Sequence, residues 1–230
     1  MISVPRDRYR TELDDLRDEV VALGEAVLDQ LEAGLDALES GDPALAREVI
    51  DGDDAINDAY LAVEADCIDL FALQQPVASD LRFVAASFKI LTDLERIGDL
   101  ATNFGRYALA EPGESPPAVD AVAIGREARD AVEDALTAYR TRDVELCREI
   151  HAGDDRIDAL CQRASERVVR DLVERATGEG AGDSWSVERV LDDVSRLLLT
   201  VRDVERVGDH AVNVAARTVY MVEHDAELLY

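Results

Sequence analysis

An eleven-residue segment occurs twice in this 230-residue chain, and no other feature restricts its fold as tightly. The first copy is Asp93-Leu-Glu-Arg-Ile-Gly-Asp-Leu-Ala-Thr-Asn103 and the second is Asp203-Val-Glu-Arg-Val-Gly-Asp-His-Ala-Val-Asn213. Seven of the eleven positions are identical. The four that differ mostly read as packing positions, with Leu100 against His210 the exception. The duplication continues upstream, where Arg47-Glu-Val-Ile-Asp-Gly-Asp-Asp-Ala-Ile-Asn57 aligns with Arg148-Glu-Ile-His-Ala-Gly-Asp-Asp-Arg-Ile-Asp158. The upstream pair is 101 residues apart (154 − 53) and the acidic pair 110 (209 − 99), a difference that fits a longer loop before the last helix. Two halves of one design therefore follow each other in the chain.

The period of the apolar residues says what each half is made of. Leu13, Leu16, Val20, Leu23, Val27, Leu31, Leu35 and Leu38 are spaced by three and four, which predicts an amphipathic helix over about 6–39. Ser40-Gly-Asp-Pro43 ends it, with Asp42 as N-cap and Pro43 at the first position of a helix running to about residue 73. Gln74-Gln-Pro76 breaks that helix, and Ser79 or Asp80 is placed to cap a third that fades near Ala110. Further helices are expected over about 118–140, from the cap Asp143 to about 176, and from Ser184 or Ser186 to about 223. Glu111-Pro-Gly-Glu-Ser-Pro-Pro117 reads as the linker between halves and Thr177-Gly-Glu-Gly-Ala-Gly-Asp183 as a loop. The expected fold is all-α, a tandem repeat of two three-helix bundles built from six long helices, divided into residues 1–112 and 113–230.

The formal charge of −27 comes from 51 acidic against 24 basic residues, and Lys89 is the only lysine. A surface of that sign repels phosphate backbones, so a nucleic-acid partner is not expected. The acid is spread over every helix rather than gathered in a tail, which suits a salt-rich cytoplasm where self-repulsion is screened, and a halophilic protein is expected. Cys67, Cys147 and Cys161 lack metal-ligand spacing and read as buried apolar thiols. Neither a signal core nor a membrane-length apolar run is present, so a cytoplasmic protein is expected.

On a helix, Glu95, Asp99 and Asn103 stand at i, i+4 and i+8 and form one row; Glu205, Asp209 and Asn213 form its counterpart. Stacked carboxylates repel by roughly 0.2–0.5 kcal/mol when exposed and by more when buried. A chain that accepts this twice at matched positions is expected to place cations there. Asp53 with Asn57, and Asp154 with Asp158, offer a second pair on the preceding helix of each half, and the two faces can meet within a bundle. Such an oxygen-rich site selects Fe, Mn, Mg or Ca, whereas zinc, which recruits His or Cys, is less favoured. Asp93, Asp203, Asn103 and Asn213 are weaker candidates. His210 is read as a packing or surface residue, Arg96 and Arg206 as holding helix contacts, and Gly98 and Gly208 as points of close helix approach that cost ~1 kcal/mol each relative to alanine.

With Val77-Ala-Ser-Asp-Leu-Arg-Phe-Val84 leading into the first acidic helix and the Glu-Xaa-Xaa-Xaa-Asp spacing at Glu95–Asp99 and Glu205–Asp209, the chain resembles the PhoU family of phosphate-uptake regulators over nearly its whole length. The resemblance implies a non-enzymatic fold of two bundles with multinuclear metal clusters on the acidic helices. It also implies negative regulation of an ABC-type phosphate transporter, through its ATPase subunit and in many bacteria a sensor kinase. A homodimer that meets the membrane only through its partners goes with that reading. Asn57, opposite Asp158 in the repeat, makes the first site the less charged, and equal occupancy is not expected. A di-iron oxidase of the ferritin-like class would need Glu-Xaa-Xaa-His on two helices, which does not occur, and no nucleophile–base arrangement suggests a hydrolase. The remaining rival is a helical scaffold or adaptor with solvated acidic rows and no metal.

Overall fold

Among the described residues the apolar spacing is realised as six helices: α1 (Pro5–Ser40), α2 (Pro43–Asp69), α3 (Ser79–Leu109), α4 (Ala121–Thr141), α5 (Val144–Thr177) and α6 (Ser184–Glu223). The computed structural model describes residues 5–110, 120–177, 184–225 and 228, and among them there is no strand. The linker expected at 111–117 and all but the first residue of the loop at 177–183 lie outside the described residues.

Among the described residues, three helix starts are capped by aspartate. Asp42 accepts the Ala44 N–H at 2.8 Å, Asp120 the Ala123 N–H at 2.9 Å and Asp143 the Leu146 N–H at 3.1 Å. With Asp120 as its cap, α4 begins three residues later than the apolar pattern suggested. The cap expected from Ser79 or Asp80 is not made. Ala78, at φ 51°, precedes α3 without a side-chain cap, so both candidates fall inside the first turn. There the Ser79 hydroxyl donates to Asp80 Oδ1 (3.3 Å), and Asp80 Oδ2 accepts from Tyr9 (3.2 Å). At the other end of that corner, α2 stops at Asp69 and continues as a π-helical turn over Leu70–Gln74 before Gln75 turns left-handed at φ 47°.

Each half is a three-helix bundle, and the bundles lie side by side. α1 and α3 of the first pack against α4 and α6 of the second, while α2 and α5 flank this central layer on α1/α3 and α4/α6 respectively. A single apolar core runs through both, from Leu16, Val20, Val27 and Leu31 on α1 through Ile90, Leu94 and Ile97 on α3 to Val204, Val207 and Val214 on α6. At its centre the buried Tyr139 hydroxyl of α4 meets Ser87 Oγ of α3 at 2.7 Å, so these two buried polar groups are paired across the halves.

The halves also key into each other reciprocally. A methyl group on Gly125 of α4 would lie 2.5 Å from Leu35 Cδ2 of α1, and one on Gly24 of α1 would lie 2.6 Å from Leu136 Cδ1 of α4. Gly125 follows Gly24, and Leu136 follows Leu35, by the repeat's own 101 residues. Each leucine thus fills the space left by its counterpart's glycine, and the two seats are related by an approximate two-fold axis. This layout leaves the α2–α3 and α5–α6 seams on the outer flanks, where the acidic motifs are carried. Among the described residues no helix is long and apolar enough to cross a membrane.

Candidate metal centre

On α5, Asp154 and Asp158 stand one turn apart and face Asp209 of α6. One oxygen from each of the three carboxylates lies within 4.8 Å of the others. Gly208 brings the helices together: a methyl there would sit 3.4 Å from Ile157 Cγ2 and 3.7 Å from Asp154 Oδ1. Asp154 Oδ1 is buried and has no hydrogen-bond partner among the described residues. Burial, reinforced by Asp158 and Asp209, pushes the Asp154 carboxyl up to about 6. Burial followed by Asp158 likewise raises Asp209, and burial followed by Asp158 and Asp209 raises Glu205, one turn away. The buried Cys161 thiol beside them is pushed up to about 12, chiefly by desolvation. Like charges gathered around an orphaned buried oxygen leave the seam with a deficit of positive charge.

The matching seam in the first bundle is built differently. Asp53 Oδ1 accepts from the Thr102 hydroxyl at 2.9 Å, and Asn57 Nδ2 lies 3.5 Å from Asp53 Oδ2. Gln30 of α1 donates to Thr102 Oγ1 and to the Val49 carbonyl, both at 3.2 Å, which completes a relay from Gln30 through Thr102 to Asp53. Glu95 is raised by burial, then by Asp99, with Arg96 (3.6 Å) opposing. By the repeat offsets, Gln30 corresponds to Ala131 (131 − 30 = 101) and Thr102 to Val212 (212 − 102 = 110). Both donors are apolar in the second bundle, and Ala131 and Val212 line, with Asp154, a solvent-open cavity of about 440 Å³ formed by α4, α5 and α6. Sequence reasoning did not single out Gln30 or Thr102. The signal was the Thr102/Val212 difference inside the repeated motif.

The four weaker candidates serve the contact between bundles. Asp93 and Asp203 are only 6% and 4% exposed, so their charges need partners, and each accepts hydrogen bonds from the opposite half. Asp93 Oδ2 accepts from Arg217 Nε at 2.9 Å, while Asp93 Oδ1 lies 3.0 Å from His210 Nδ1 and 3.4 Å from Asn213 Nδ2. Asp203 Oδ2 accepts from Tyr107 (2.8 Å) and Asn103 (3.2 Å), with Arg206 3.4 Å from Oδ1. Tyr107 and Arg217 are repeat equivalents, so the two clamps are symmetric in position but not in chemistry. Burial and the Asp203 contact push the Tyr107 hydroxyl up to about 12. His210, expected as a packing or surface residue, is part of this clamp.

The PhoU domain model matches residues 20–108 and 122–218, one copy per bundle. The chain belongs to the PhoU family. It is 34% identical over 218 residues to the phosphate-specific transport system accessory protein PhoU homolog of Pseudomonas putida, covering 94% of this chain and 80% of that one. To the PhoU homolog 1 of Methanothermobacter thermautotrophicus it is 32% identical, covering 95% of each. To the Escherichia coli PhoU accessory protein it is 30% identical, covering 94% of this chain and 86% of that one. The crystal structure of PhoU from Pseudomonas aeruginosa superimposes with a TM-score of 0.81 at 32% identity, covering 94% of this chain and all (100%) of that one. The phosphate transport system regulatory protein PhoU from Streptococcus pneumoniae does so with 0.83 at 25% identity, covering 95% and 98%. The PhoU relationship therefore holds in sequence and in three dimensions for both halves.

Proposed function

We propose that this chain is a metal-loaded accessory protein that restrains phosphate import by contact with an ABC-type phosphate transporter. The observation that carries the metal part is Asp154 Oδ1, buried and unpartnered beside Asp158 and Asp209. Asp154, Asp158, Asp209 and Glu205 would hold the ion; carboxylate oxygens suit Mn, Fe, Mg or Ca better than zinc. The cation would neutralise the carboxylates and join α5 to α6. Because only the folded chain brings these groups together, binding adds RT ln(1 + [M]/Kd) to stability, about 2.7 kcal/mol at 100 Kd.

The transporter part is supported by the names its relatives carry, as accessory proteins of a phosphate-specific transport system, and by the surface of the α2–α3 corner. Ile68, Leu73, Val77 and Leu81 are exposed there, an apolar run suited to protein contact. A sensor kinase is a second partner under the same reading, and a homodimer its assembly state. The four carboxylates form no nucleophile–base pair with one another, which suits a regulator rather than an enzyme.

Elemental analysis of protein purified without chelator, against a Glu205→Ala/Asp209→Ala variant, tests the metal; equal metal content in the two would refute it. Co-purification with the transporter's ATPase subunit tests the partner. Light scattering decides the assembly state.

A further inference from the structure

The two acidic seams share an ancestral pattern yet differ in what meets the central carboxylate. Asp53 is served by a donor relay that begins at Gln30, passes through Thr102 and is completed by the amide of Asn57. Asp154 has an alanine, a valine and an additional carboxylate at the equivalent places, namely Ala131, Val212 and Asp158. The side chain that fills the first bundle at this level is absent from the second, and the cavity of about 440 Å³ lined by Ala131, Val212 and Asp154 lies there. Four carboxylates (Asp154, Asp158, Glu205, Asp209) gather on one seam against three (Asp53, Glu95, Asp99) on the other.

We infer that the two halves have specialised. The α5–α6 seam takes a hard divalent cation tightly, and the α2–α3 seam is closed to it by Gln30, Thr102 and Asn57 acting as built-in substitutes for the ion. This inference rests on the metal reading above and assigns the selectivity to residues outside the acidic motif. A cation entering the first seam would displace the Thr102 hydroxyl from Asp53 and meet one carboxylate fewer. A hydrogen bond to a charged group is worth about one to two decades in an equilibrium constant, so the relay alone separates the affinities by roughly 10- to 100-fold. The second seam has no such competitor among its side chains, so an ion meets Asp154 Oδ1 without displacing a hydroxyl.

The test uses full-length chain stripped with chelator and titrated with Mn²⁺, free Mn²⁺ being followed by electron paramagnetic resonance and heat by calorimetry. The wild type shows one tight class of site, removed by Asp154→Asn/Asp209→Asn. Val212→Thr, nearly isosteric, together with Ala131→Gln, weakens that class by about 10- to 100-fold. Gln30→Ala/Thr102→Val/Asn57→Asp creates a second tight class. Val212→Thr alone, with a metal-free melting curve matching the wild type, keeps the test independent of folding defects. Two equal tight classes in the wild type, or a titration unchanged by both relay variants, overturns the division while leaving the metal reading intact. No Mn²⁺ binding to any of these proteins overturns both.

Discussion

Arg217 of α6 donates its Nε–H to Asp93 Oδ2 of α3 at 2.9 Å, joining residues 124 positions apart in the chain. Asp93 belongs to the repeated acidic motif by sequence, but by position it belongs to the boundary between bundles. The consequence is measurable. Asp93→Ala leaves Arg217 without its carboxylate and is expected to cost about 3 kcal/mol, the low end for a broken buried pair, because Arg217 keeps 28% exposure. Urea unfolding gives the loss, and tight Mn²⁺ binding at the α5–α6 seam is expected to survive it.

The keyed contact between α1 and α4 makes a second case. Gly125→Ala forces a methyl against Leu35 and is expected to cost ~1–3 kcal/mol, and Leu35→Ala opens a cavity worth ~2–5 kcal/mol. Together they are expected to fall short of additivity by about 1 kcal/mol or more, because the shortened side chain leaves room for the new methyl. Additive losses in a double-mutant cycle would show that the two do not share one seat.

Acidity acts on the metal-free and metal-bound proteins in opposite directions. Asp154 titrates near 6 in the folded chain against 3.8 as its ordinary value, with Glu205 and Asp209 also raised. Between those values the folded state holds more protons than the unfolded one, so metal-free stability rises as pH falls from about 7 towards about 4. Metal affinity requires the ionised carboxylates and weakens over the same interval. Asp154→Asn is expected to flatten the stability slope relative to the wild type in chemical unfolding at pH 7 and pH 5.

The charge of −27 predicts a further response. Adding KCl from about 0.1 M to about 1 M shortens the Debye length from ~10 Å to ~3 Å and relieves self-repulsion. The metal-free melting temperature is expected to rise. A fall would refute the salt-adapted reading of the acidic coat.

Much of the fold was legible because helical periodicity is local. Leu16, Val20, Val27, Leu31 and Leu35 are buried as their spacing requires, and the matched caps Asp42 and Asp143 start α2 and α5. The capping of α3 was not legible, since Asp80 turns to Tyr9, a residue of another helix. The acidic rows could be read for the same local reason, as i, i+4 pairs. What those rows face could not: Gln30 and Thr102 act across helices, and Thr102 against Val212 is a near-isosteric exchange whose hydroxyl matters only because Asp53 of another helix meets it. Arg217, the repeat equivalent of Tyr107, had no motif to mark it.

The reciprocal seats, Leu35 over Gly125 and Leu136 over Gly24, have the form of an isologous contact, in which each partner presents the same patch to the other. In a true homodimer every substitution appears on both sides, and a residue that suits one subunit must suit its twin. Joined in one polypeptide, the twins are free to drift apart. The shared patch keeps them in register while their outer flanks take up separate work.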